Sequence, residues 1–483
     1  MRRAVAATAL CAAMLATARA DRPDTVNTTE LFHYAAGDVV ESFPSAGGHF
    51  LIHFTRSGVN AVPSDDADKD GTPDDVQESA QLYEDVLAFY TQLGFLTPPS
   101  DANLAGDHGG DGRFDVYLLD FGGSADGSYR SDDCDSGGVC IGFMVQENDF
   151  AGYSYPSRTI GNRILASHEF FHAVQAAYNA TEGTIFAEGT AVWATEKFDP
   201  TLNDFEGFVK GYLSKPDHSL NVPGTGPVDP FSYGAAIFFE FLDEKYGTSV
   251  IRELWESVKG MGQTTPPQWF ANLDTVLQSR HASSFADAFF TFTQWNLYTS
   301  KRADPAHGYA RGSGYPLVRI DPGTLPLSIP SLRVFSSSAS YTAVAPAARK
   351  QLTASLVTGD GASALRLALA VRRGNTIEAP VVAEASLDAT VSCDGADEVI
   401  VLVVNTAQTG ESQKPTVCAG DADEVDACRV QAGAAPLKPA PTPEPMKSGG
   451  CSTASGPAPV TAGGPIALGL LVVLAFARRQ RCR

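Results

Sequence analysis

The run NRILASHEFFHAVQAAY occupies residues 162–178, and its centre is Ser167-His168-Glu169-Phe170-Phe171-His172. Ile164, Leu165, Phe171 and Val174 recur at helical spacing, which predicts one long helix over 162–178. Residues four apart on a helix share a face, so both imidazoles project together and can hold a single zinc ion. Glu169 then lies beside the metal, placed to take a proton from water. The competing reading is a buried helix with two hydrogen-bonded histidines.

A zinc site that does hydrolysis needs a third protein ligand and one open position. A glycine three residues after the second histidine and a third histidine three further on would define the metzincin pattern. Gln175 and Tyr178 stand there instead and exclude it. Downstream lies FAEGTAVWATE at residues 186–196, with Glu188 sixteen residues beyond His172. A reversal near Glu182-Gly183 and a second helix over 187–197 would return Glu188 to the first helix, the gluzincin arrangement. Glu196 is a rival ligand, or a hydrogen-bond partner of a ligating histidine. For stabilising an oxyanion the candidate is Tyr233, in the turn Ser232-Tyr233-Gly234, with His218 second.

Around this stretch the chain reads as α+β, with strands early and helices late. Strands are expected over 50–54, 114–119 and 139–145, the last able to take a substrate backbone along its edge. Helices are expected over 76–93, 235–246 and 249–258. Beyond a proline-rich connection at 316–330, short apolar runs at 341–344, 352–357, 365–371, 381–383 and 399–404 alternate with Gly, Asp and Ser turns. They predict a β-sandwich. The division that follows is a metallopeptidase-like domain over 21–325 and an all-β sandwich domain over 326–430.

The ends read as addresses. Arg2 and Arg3, an apolar run to Ala16 and the small-residue site Ala18-Arg19-Ala20 make 1–20 an export signal. Residues 431–450 are a proline-rich linker. Residues 451–483 carry an apolar stretch too short for an easy membrane span, followed by Arg478, Arg479, Arg481 and Arg483. Export permits disulfides. Cys134 and Cys140 close a tight glycine-rich loop; among Cys393, Cys418 and Cys428 one is left over, with Cys393–Cys418 the pairing preferred. The 483 residues carry a formal charge of −21, which argues against a nucleic-acid partner because phosphate binding needs a basic stripe.

Part of that acidity is concentrated in Asp66-Ala67-Asp68-Lys69-Asp70-Gly71-Thr72-Pro73-Asp74. Carboxylates at alternate positions followed by a glycine turn can wrap calcium, with Asp66, Asp68, Asp70 and Asp74 as ligands. The twelfth position holds Gln77 rather than the glutamate of an EF-hand. The alternative is a solvated turn whose last aspartates face the positive end of the next helix.

HEFFHAVQAAYN, AEGTAVWATE, DADKDGTPDDVQ, FDVYLLD and SYGAAIFFEFLDEKYG together resemble a family of exported gluzincin-type metalloproteases of myxobacteria and related organisms. The tail resembles the Myxo-CTERM type, which would leave Cys451 lipid-anchored at the cell surface. The resemblance implies peptide-bond hydrolysis, zinc on His168, His172 and Glu188, and a protein or peptide substrate. Composition and spacing alone reach as far as a zinc hydrolase, with a surface binding protein on a peptidase scaffold as the other class.

Overall fold

A computed structural model describes residues 21–437, apart from 26, 27, 29, 105–107, 227, 266, 360–363 and 385. The expected export signal, most of the expected linker, the expected sorting tail and Cys451 lie outside the described residues. Among the described residues no helix is long and apolar enough to cross a membrane.

The chain begins with a five-stranded sheet built from β1 (Val40–Pro44), β2 (Phe50–Thr55), β3 (Phe114–Leu119), β4 (Gly127–Cys134) and β5 (Cys140–Glu147). Their order is β1-β2-β3-β5-β4; β2, β3 and β5 run parallel, and β1 and β4 are antiparallel edges. Strand side chains alternate in direction. Phe50, Ile52, Val116, Leu118 and Met144 therefore face α1 (Asp74–Gln92) and α2 (Arg158–Ala176), while Tyr117, Leu119, Phe143 and Val145 pack beneath Tyr34 of the N-terminal segment. The expected strand over 139–145 corresponds to β5, which is interior. The sheet edges are β1 and β4, the latter a polar strand without apolar alternation, so the expectation that 139–145 offers a free edge is corrected: the strand there is paired on both sides.

A helical layer follows: α3 (Thr184–Phe198), the short α4 (Phe205–Phe208), α5 (Lys210–Leu213) and α6 (Pro230–Gly234), then α7 (Ala236–Tyr246), α8 (Ser249–Val258), α9 (Trp269–Arg280) and α10 (Phe285–Trp295). The fold is thus mixed α+β with several sheets. Aromatic residues fill this layer, with Phe186 stacked between Trp255 and Trp269 at ring-centroid distances of 4.0 and 5.4 Å.

Two further sheets come from the C-terminal part. One joins β6 (Asp321–Gly323), β8 (Ser338–Val344), β10 (Leu365–Arg373), β11 (Thr376–Ile377), β12 (Val381–Val382) and β14 (Glu398–Asn405); the other joins β7 (Leu327–Ile329), β9 (Gln351–Val357), β13 (Asp388–Ser392) and β15 (Thr416–Gly420). Leu367, Leu369, Val399 and Val401 meet Leu352, Leu356 and Val417 in one core between the sheets, as a sandwich requires. The alternate residues Ala368, Ala370, Ile400 and Leu402 face the opposite way and join the core of the helical layer. Tyr341 Oη also donates to Thr293 O at 2.7 Å across that boundary.

The disulfides are Cys134–Cys140 and Cys418–Cys428, with Cys393 free and buried. The expected Cys393–Cys418 pair is therefore corrected. A capping box at Asp421 and Glu424 starts α11 (Ala422–Gln431), which folds back beside β15 and brings Cys428 to Cys418.

Candidate metal centre

Helix α2 starts where the Ser157 side chain accepts from Ile160 N–H, and 14 of its 19 residues are buried. A turn over 177–183 reverses the chain, and α3 returns antiparallel. At Gly189 a Cβ would lie 2.6 Å from the Phe239 ring, so glycine lets α7 pack against α3 just beside Glu188.

The reversal brings His168, His172 and Glu188 together. Glu188 Oε2 lies 3.3 Å from His168 Nε2 and 3.5 Å from His172 Nε2. Two donors about 2.0–2.1 Å from a tetrahedral zinc lie about 3.3–3.4 Å apart, so one carboxylate oxygen meets both nitrogens at the separation of co-ligands. His172 Nε2 is buried and, beyond this long approach to Glu188, has no hydrogen-bond partner, which leaves it able to bind a metal. His168, Glu169 and His172 also have ligand atoms within 4.8 Å of one another. The residues present fit zinc.

Electrostatics favour a cation here. Burial opposes charge on both groups, yet the Glu188 carboxylate lifts His172 to about 9, and the histidines hold Glu188 well below the ordinary carboxylate range. Burial raises Asp126 and Asp204, the latter to about 6, while the charge of His168 pulls both the other way.

Gln175, which stands where the metzincin pattern has glycine, orients the His172 ring. Its Nε2 donates to Ala187 O at 2.8 Å and Thr190 Oγ1 at 3.0 Å, so Oε1 is the atom facing His172 Nδ1, 2.8 Å away. His172 Nδ1 must therefore carry a proton, which turns Nε2 toward Glu188. An amide one turn beyond the second histidine is the signal in the sequence that could have found it.

Glu169 Oε2 accepts from Tyr129 N–H of β4 at 3.3 Å, which ties the sheet edge to this carboxylate. The Tyr233 ring lies parallel to His168 with centroids 5.7 Å apart, and Phe208 stacks near it at 5.2 Å. It reaches that place because α5 and α6 cross closely: a Cβ on Gly211 would meet Pro230 O at 1.7 Å. Glu196 instead pairs with Arg311, which also reaches Glu206 at 3.0 Å. In place of the expected role as a ligand or histidine partner, Glu196 holds a partly buried ion pair, with Arg311 partly exposed. His218 Nε2 bonds Val222 O at 2.7 Å, in a separate loop.

In the acidic loop Asp66, Asp68 and Asp74 have carboxylate oxygens within 4.8 Å of one another. Asp70 is not in that group: its Oδ1 accepts from Thr72 N–H and its Oδ2 from Gln77 Nε2, each at 2.8 Å.

No family model matches the chain, and no curated protein matches it. Among solved structures, the pre-peptidase C-terminal domain of a collagenase from Bacillus anthracis is similar at 10% identity and a TM-score of 0.18, covering 21% of this chain and 94% of that one.

Proposed function

We propose that this chain is an exported zinc metallopeptidase that hydrolyses peptide bonds, held at the cell surface through its processed tail and Cys451. The observation that carries this reading is the shared approach of Glu188 Oε2 to His168 and His172 at 3.3 and 3.5 Å, with Glu169 adjoining. His168, His172 and Glu188 would hold the metal. Bound zinc supplies Lewis acidity, polarising the scissile carbonyl and lowering the pKa of water toward about 7.

Glu169 takes the proton from the attacking water and returns it to the leaving amine. Tyr233, beside His168, is the candidate donor to the oxyanion. Strand β4 is an unpaired edge next to Glu169, suited to adding an extended peptide through main-chain hydrogen bonds. Calcium, which takes carboxylate oxygens, would sit on Asp66, Asp68 and Asp74, with Asp70 left as a partner of Gln77.

Zinc content of the purified protein, with peptide-library cleavage by wild type and Glu169→Gln, tests the reading. We expect about one zinc per chain in both and cleavage lower by at least about a hundredfold in Glu169→Gln. Zinc-loaded wild type that cleaves nothing would sink the peptidase assignment while keeping the metal site. Absence of zinc would sink both.

A further inference from the structure

Arg22 stands two residues into the described chain and is only 1% exposed. Its Nη1 pairs with Asp115 of β3 at 3.0 Å, and its Nη2 with Asp101 and Asp132 at 2.7 Å each. Its guanidinium also lies 4.4 Å from the centroid of the Phe143 ring on β5. Asp115 is further bonded to His53 Nε2 at 2.8 Å, so the cluster joins β2, β3, β4 and β5 on the face of the sheet away from α2.

Asp132 is the extra residue of a bulge in β4, between Ser131 opposite Gly142 and Asp133 opposite Ile141. A bulge re-aims the strand that contains it. Two residues back along β4, Arg130 Nη2 grips both oxygens of Glu30 at 2.7 and 2.9 Å. One residue further back, Tyr129 N–H points to Glu169. The same short segment of β4 is thus held twice by the N-terminal arm and once by the carboxylate of the metal centre.

We propose that the N-terminal arm is a positioning device for the site: Arg22 and Glu30 hold β4 so that its Tyr129 amide meets Glu169. Arg22 and Glu30 are positioning residues. They touch neither substrate nor metal, and they act through the backbone of β4. An edge strand has a sheet neighbour on one side only, so beyond its pairing with β5 and the Cys134–Cys140 bridge its place depends on what grips its side chains, and here Arg22 and Glu30 supply that grip. The inference deepens the peptidase reading and rests on it for its effect on turnover, but the seating of β4 can be read without any activity.

Arg22→Ala would leave three buried carboxylates without their cation and can fail to fold. The Glu30–Arg130 pair, partly exposed, is the better lever. The zinc-loaded full chain would be compared as wild type, Arg130→Glu, and the charge swap Glu30→Arg/Arg130→Glu. The measurements are residue-resolved hydrogen exchange of the Tyr129 amide, melting temperature, zinc content, and kcat and KM on a peptide cleaved by wild type.

We expect Arg130→Glu to speed Tyr129 exchange by about tenfold or more and to lower kcat by about tenfold with a smaller change in KM, zinc content being kept. The swap should restore both. Unchanged Tyr129 exchange in Arg130→Glu would overturn the proposal, as would faster exchange with unchanged kcat. A slow variant that the swap does not rescue would also overturn it, since general destabilisation would then explain the loss. If wild type cleaves nothing, the peptidase reading has failed, and exchange at Tyr129, lost and then rescued, still decides whether the arm seats β4.

Discussion

At the scale of single residues, the candidate site depends on side chains that would never touch a substrate. Gln175 has both amide ends committed, one to α3 and one to His172 Nδ1. Replacing it by leucine keeps the volume and removes the acceptor, so His172 loses the bond that selects its tautomer. We expect Gln175→Leu to weaken zinc binding by about 10–100-fold, measured by competition with a chelator; a change under about twofold would remove Gln175 from the positioning role. Glu182, in the turn between α2 and α3, has a buried Oε2 without a partner, and burial alone pushes its carboxyl up to about 7. The ordinary value in an unfolded chain is about 4.3, so the folded state holds this proton more tightly. The stability it contributes is fully present below that lower value and is lost as pH rises through about 7. Melting temperature should therefore fall across that window in wild type, and Glu182→Gln should flatten the fall while changing little near pH 4; an identical pH profile in the two proteins would contradict this.

At the scale of elements, periodicity was an incomplete guide. Helices expected over 162–178, 187–197 and 249–258 correspond to α2, α3 and α8, and the strand over 114–119 to β3; α8 buries one face at helical spacing, whereas α2, α3 and β3 are buried nearly all round. Strand β4 reads Gly-Ser-Tyr-Arg-Ser-Asp-Asp-Cys and gives no such pattern: its stability comes from pairing with β5 and from ion pairs to the arm. Elements α9 and α10 also bury one stripe each, Trp269, Phe270, Leu273, Val276 and Leu277 in α9 and Phe285, Ala288, Phe289 and Phe292 in α10, and they lie outside the helices expected from the sequence. The acidic loop before α1 belongs to this scale as well. Its Asp66 and Asp68 accept backbone N–H groups of the loop, and Asp74 accepts Ala67 N–H at the start of the helix. We expect added calcium to raise the melting temperature of wild type in proportion to the logarithm of its concentration above Kd, and Asp68→Asn to abolish most of that rise. A calcium response equal in the two proteins would assign the loop to solvation and helix capping alone.

At the scale of the whole molecule, the six-stranded sheet has two apolar faces. Leu367, Leu369, Val399 and Val401 close the sandwich, whereas Ala368, Ala370, Ile400 and Leu402 close the core beneath α10. A chain ending at residue 325 would expose the helical layer that Tyr341, Ile400 and Leu402 cover. We expect residues 21–325 expressed alone to be largely insoluble or to melt well below the longer chain; a soluble fragment with an unchanged melting temperature would show that the two parts fold independently. The sequence alone determined the helix with two histidines on one face, the return of Glu188, the acidic loop and the β-rich end, because each is written in local spacing. Only the tertiary structure decided that β4 rather than β5 is the sheet edge, that Cys428 rather than Cys393 reaches Cys418, that Glu196 belongs to Arg311, and that Arg22 anchors the outer face of the sheet. Those outcomes depend on which segments distant in sequence come into contact, and no periodicity within a segment encodes its partner.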